Sequence, residues 1–211
     1  MAKNRKILFL TLALLLAAGT AIYAFSPESD MTRLGRLFQS ASADTSKDVA
    51  ATYKDYTITM AQVQYYRDTS FTRTNGGEKF SDRQIVDELV KGLVLREEAE
   101  KRGLAATEQE IADFVQMTRD AYALPEGQQM LDEYFKAAGI TAEEYFDLIE
   151  QQAPGMIARQ KLTDTIGQDY CKEHGIEFTK VNQPEEVQKA VEDHLDGLFQ
   201  NSKSQITYYV K

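Results

Sequence analysis

The stretch SDRQIVDELVKGLVLREEAEKRGLAATEQEI, residues 81–111, decides how the rest of this chain is read. Ile85, Leu89 and Leu93 recur four residues apart, and so do Val86, Val90 and Val94. Four residues make about one helical turn, so these six side chains form one broad apolar stripe that must lie against other elements. Ser81-Asp82 can start the helix, and Gly103 can stop it by taking the left-handed conformation a helix end favours. Glu97, Glu98, Glu100, Lys101 and Arg102 form its solvated end. Thr107-Glu108-Gln109-Glu110 is a capping box, in which Thr107 and Glu110 satisfy orphan backbone donors. It opens a second helix carrying Ile111, Phe114, Val115 and Thr118.

The same pattern repeats downstream. Pro125 fits the first turn of a helix with Met130, Leu131, Tyr134 and Phe135, ended by Gly139. Thr141 and Glu144 form another capping box. The helix it opens runs through Tyr145, Phe146, Leu148, Ile149, Ile157, Leu162 and Ile166 to Gly175, and Pro154-Gly155 predicts a kink within it. Residues 176–183 read as a short extended connection. Pro184 opens a last helix with Val187, Val191, Leu195 and Leu198 on one face, and residues 204–210 read as a terminal strand. Upstream, residues 49–58 read as two short strands around Lys54-Asp55. Thr59 then caps a helix from Met60, with Val63 and Tyr66 inward, and Thr74-Asn75-Gly76-Gly77 reads as a loop. Strands at both ends of a helical chain predict that they pair, because isolated strands are unstable and open edges are a liability. The expected fold is mostly α: a multi-helix lobe with a small antiparallel sheet joining the amino- and carboxy-terminal strands.

Before residue 49 the chain changes character. Lys3, Arg5 and Lys6 precede an apolar run, residues 7–25, without a charge. A basic end followed by an apolar stretch is an export pattern. The run is long enough to cross a hydrocarbon core of about 30 Å. Gly19 and Ala21 also offer a cleavage site, so retained anchor and cleaved signal peptide both fit. Residues 1–25 are therefore expected to be a signal peptide or transmembrane anchor, and the remainder to be extracytoplasmic, either anchored with a cytoplasmic amino terminus or secreted. Residues 26–48 read as a linker, with Met31, Leu34 and Leu37/Phe38 making at most one amphipathic turn. The folded domain is expected over residues 49–211.

Of the 211 residues, 43% are hydrophobic and 27% charged, which suits a folded chain and not a disordered one. The net charge of −9 lacks the footprint of a nucleic-acid binder. One cysteine excludes an intrachain disulfide framework.

Chemistry is sparse. Cys171 and His174 have ligand-like spacing, but zinc needs three or four protein ligands. His194 is the only other histidine. The neighbouring acids Glu97/Glu98, Glu143/Glu144 and Glu185/Glu186 project about 100° apart on a helix, which does not make an acid–base dyad. Gly76-Gly77 lacks the Lys-Ser/Thr of a phosphate loop. No enzyme activity, metal or cofactor is expected. What remains is apolar surface: eleven tyrosines, ten phenylalanines and six methionines. Tyr65, Phe71, Met117, Tyr122, Met130, Tyr134, Phe146 and Met156 are the candidate partner-binding residues, because Met and aromatic side chains can repack around varied partners. The competing explanation for each is that it fills the helical core.

Three segments carry a family resemblance: Ile58-Thr59 leading from strand into helix; Ile85 to Leu104 followed by Thr107 to Ile111; and Gly139-Ile140-Thr141 with Glu143-Glu144-Tyr145 opening the long helix. Together they resemble the amino-terminal chaperone domain of the SurA/PrsA/trigger-factor-like extracytoplasmic folding factors. The resemblance covers residues 49–211. Relatives commonly insert a parvulin-type prolyl isomerase before the last helix. Here residues 176–183 leave no room for one, and prolyl isomerase activity is not carried over. The resemblance implies an ATP-independent holdase for unfolded or partly folded polypeptides. A membrane-tethered adaptor for one specific envelope protein is the alternative. Self-association through exposed apolar surface is a third use open to the same residues.

Overall fold

The computed structural model describes residues 30–43, 48–69 and 80–210. The apolar run at residues 7–25, Phe71 and the loop at residues 74–77 lie outside the described residues. The described elements are α1 (Asp30–Ala43), β1 (Val49–Tyr53), β2 (Tyr56–Thr59), α2 (Met60–Thr69), α3 (Asp82–Lys101), α4 (Glu108–Tyr122), α5 (Pro125–Ala138), α6 (Ala142–His174), α7 (Glu185–Ser202) and β3 (Ile206–Tyr208). A single 3-10 turn, Lys203–Gln205, joins α7 to β3.

Helix boundaries follow local chemistry. Ser81, Thr107 and Thr141 each cap a helix with reciprocal side-chain and backbone hydrogen bonds to the residue three further on: Gln84, Glu110 and Glu144. Thr59 and Gln62 make the same exchange at the start of α2. Gly103, Gly139 and Gly175 all have φ near +70°, the left-handed conformation that ends α3, α5 and α6 without a Cβ clash. The long helix α6 remains one helix through Pro154.

The sheet joins the two ends of the domain as expected. Its order is β2-β1-β3, antiparallel throughout, with Tyr53 opposite Tyr56 in one pair and Ile206 in the other. Ala50, Ala51, Tyr53 and Ile58 pack with Val63, Ile85, Val86, Val90, Phe199 and Ile206 in a first core. Further along α3, Leu95 and Ala99 meet Ala158, Leu162 and Ile166 of α6 and Val191 and Leu195 of α7 in a second core. The stripe on α3 thus serves the first core, and Leu95 and Ala99 of the same helix serve the second. The third core is aromatic: Leu131, Phe135, Tyr145, Phe146 and Ile149, supplied by α5 and the first turns of α6, with Phe114, Val115 and Tyr122 of α4 against it.

The main departure lies in residues 26–48. Their Ser, Thr and Ala content suggests a linker with one amphipathic turn, yet residues 30–43 form a 14-residue helix that packs on α5 and α2. The reason is Gly35. A Cβ at this position would overlap the Tyr134 carbonyl oxygen and lie 2.7 Å from the Ala137 Cβ. Glycine permits the two backbones to approach closely, which a composition-based reading scores as a loop signal.

Candidate functional site

Three of the eight candidate residues converge. Tyr122 of α4, Tyr134 of α5 and Phe146 of α6 belong to one continuous set of rings, joined through Phe135 and Tyr145. Ring centroids are 5.6 Å apart for Tyr122–Phe135, 5.8 Å for Tyr122–Phe146, 6.0 Å for Tyr134–Tyr145 and 5.2 Å for Phe135–Tyr145. Most are tilted or edge-on, the arrangement ring quadrupoles favour. Phe135 and Tyr145 stand in the helical stripes, where periodicity marks them only as packing residues; the tertiary fold makes them the centre of the set.

Within the set, depth separates structural from available residues. Phe146 is 3% exposed and is core. The Arg119 guanidinium lies over its ring at 4.1 Å and grips Glu143 with two hydrogen bonds of 2.8 and 2.7 Å. Tyr122 and Tyr134 are half-buried. The Tyr122 hydroxyl donates to Asp132 at 2.8 Å, which fixes the ring's outer end. Met117 and Met130 are half-buried on α4 and α5, and Met156 is exposed on α6. Tyr65 keeps 37% exposure on α2.

Burial raises the phenols of Tyr65, Tyr134 and Tyr145 above the usual tyrosine range, Tyr145 to about 12. For Tyr134, burial acts first and the neighbouring Tyr65 and Tyr145 add to it. Tyr134 of α5 thus lies near Tyr65 of α2 and Tyr145 of α6. Helix α1 lies over part of it: Phe38 is 6.2 Å from the Tyr134 ring, and Met31 packs on the aromatic core.

A second feature is a cleft of about 240 Å³ lined by Arg102, Ile166, Asp169, Tyr170, Glu173, Ala190 and His194. Part of its polar lining is already engaged. Arg102 bonds Glu98 at 2.7 Å and His194 at 3.2 Å. His174 stacks on Tyr170 at 4.0 Å. Cys171 is 2% exposed. Among the described residues no group of three or more His, Cys, Asp or Glu side chains could hold a metal ion.

Fold and surface together define a mostly helical domain, closed by its own terminal strands, whose conspicuous feature is an aromatic lobe. The chain belongs to the family of SurA-like N-terminal domains, a chaperone-type family, and the family model matches residues 3–163. The matched span takes in the amino-terminal segment and α1, includes the aromatic lobe, and ends within α6. No curated protein and no solved structure matches the chain.

Proposed function

We propose that this protein is an ATP-independent chaperone of the holdase type, acting outside the cytoplasm on unfolded or partly folded polypeptides and without prolyl isomerase activity. The observation that carries the reading is the match to the SurA-like N-terminal domain over residues 3–163. The aromatic lobe supports it. Tyrosine offers large contact area at low entropic cost, and its hydroxyl lets the same ring sit at a wet boundary. The acidic exterior keeps the apolar lobe soluble. The basic amino end and apolar run, residues 3–25, support an extracytoplasmic site, anchored or secreted. Among the described residues no helix is long and apolar enough to cross a membrane, and the apolar run lies outside them. Binding would need no nucleotide, because release follows when the client buries its own apolar groups.

The test is light scattering from two unrelated, chemically unfolded proteins diluted into buffer without ATP. The full chain is supplied in lipid nanodiscs, with empty nanodiscs as control. Near-stoichiometric suppression of both is expected. No suppression of either, with the chain helical by circular dichroism, would reject the holdase and favour a dedicated envelope partner.

A further inference from the structure

Helix α1 packs extensively on α5, yet among the described residues it supplies no buried side chain to the hydrophobic cores. Among its residues with described side chains, 31–40, only Gly35 is buried. Met31, Leu34, Leu37 and Phe38 sit on one stripe, yet all four are only half-buried. The seat beneath is complete without them. The aromatic core of α5 and α6, with α4 against it, contains no buried residue from α1, and Met31 packs on its outside. Removing α1 therefore uncovers Tyr134, Ala137 and Ala138 and leaves the layer under them intact.

The seat also selects. The close approach at Gly35 admits a glycine and no residue that carries a Cβ. Bulky apolar residues must flank that glycine, as Met31, Leu34 and Phe38 flank Gly35. Charge adds a third condition. The α1 helix presents Arg33 and Arg36 on a protein of net charge −9, and α5 carries Glu126, Asp132 and Glu133 against Lys136.

We propose that the face of α5 and α2 under α1 is the client-binding surface, held in the free protein by α1 as a built-in stand-in. Its client is a basic, amphipathic, helix-forming polypeptide segment with a glycine between bulky apolar residues. Client binding displaces α1, so occupancy of the surface is regulated by the chain itself. The inference rests on the chaperone reading and specifies its site and its client.

The probe is a fluorescent peptide with the sequence of residues 30–43, compared with a scrambled version on the full chain in nanodiscs. Gly35→Leu prevents α1 from seating; Leu37→Ser with Phe38→Ser loosens it without added bulk. Hydrogen exchange over residues 30–43 reports whether α1 is released, and circular dichroism reports the fold. Both variants are expected to bind the peptide roughly tenfold or more tightly than the wild type, because the competing occupant is removed. Unfolded test protein should compete for the peptide and should raise exchange over residues 30–43 in the wild type. If wild type suppresses aggregation while released α1 changes neither peptide nor client binding, this inference falls and the chaperone reading stands. It falls in the same way if client and peptide do not compete. If no form suppresses aggregation, the chaperone reading falls and this inference with it.

Discussion

The phenol of Tyr208 in β3 donates a hydrogen bond to the Asp87 carboxylate in α3. Lys203 meets the same carboxylate at 3.2 Å, and the Arg83 guanidinium lies 4.1 Å from the Tyr208 ring centre. One acid on α3 thus holds both the 3-10 turn and the strand that close the domain. Removing the hydroxyl leaves Asp87 with Lys203 alone. Tyr208→Phe is expected to cost about 1–2 kcal/mol, the range for a hydrogen bond to a charged group that is only part-buried. Asp87→Ala should cost more, because it removes both partners. Urea unfolding followed by circular dichroism checks both values and their order.

Arg119, Glu143 and Phe146 separate packing from charge at one place. The ion pair is geometrically good, but Glu143 keeps 71% side-chain exposure, and water screens it. Glu143→Gln should barely shift the unfolding curve, because water screens the pair. Phe146 is 3% exposed within the ring set, and Phe146→Ala should cost about 3–5 kcal/mol through lost burial and a cavity. If the two unfolding curves shift equally, the aromatic core is not the dominant tie between α4 and α6.

Glu110 predicts an acid response. Lys161 at 2.6 Å, then the backbone and hydroxyl of Thr107, hold its carboxyl down at about 2, below the ordinary 4.5. A carboxylate held below its unfolded value stabilises the fold above about 4.5, and that contribution is lost as pH falls toward 2. Glu110→Gln should flatten the stability profile in this window and leave its shape at neutral pH unchanged. Carboxyl chemical shifts measured by NMR across the titration give the midpoint directly.

The buried phenols predict an alkaline response of opposite sense. Burial raises Tyr145 and Tyr208 to about 12, and for Tyr208 the bond to Asp87 adds to it. A phenol held above its unfolded value of 10.0 keeps its stabilising contribution below that pH and loses it as pH rises toward 12. Ultraviolet titration should therefore show an early group of tyrosines and a late group that ionises together with loss of helix. Tyr145→Phe should remove one late phenol and shift the alkaline unfolding midpoint upward. A single ionisation step near 10 for all tyrosines would contradict the buried assignment.

The helical pattern is legible in the sequence wherever the signal is local. Thr107 with Glu110, Thr141 with Glu144, and the glycines at 103, 139 and 175 mark helix ends through contacts within a few residues. The pairing of the first and last strands is also legible, since short strands need partners. The binding candidates are legible only as residue types. Tyr122, Tyr134 and Phe146 come together, whereas Met156 stands exposed elsewhere and Phe146 is core. Helix α1 escapes a sequence reading because its central glycine, an unfavourable residue in an isolated helix, gains its value from the backbone of α5.

By itself the sequence determined the order of the elements from β1 onward, most of the helix ends, the mostly helical class and the net negative charge. These depend on turn-by-turn hydrogen bonding, apolar periodicity and composition, all readable along the chain. Tertiary structure alone decided which aromatic rings share a core, which acid anchors the closing strand, and that residues 30–43 lie on α5. Those outcomes depend on contacts between residues of different elements, from Tyr122 and Phe146 in neighbouring helices to Gly35 and Tyr134, about 100 positions apart. No local pattern encodes them, because the close approach that makes the glycine favourable exists only after both helices have packed.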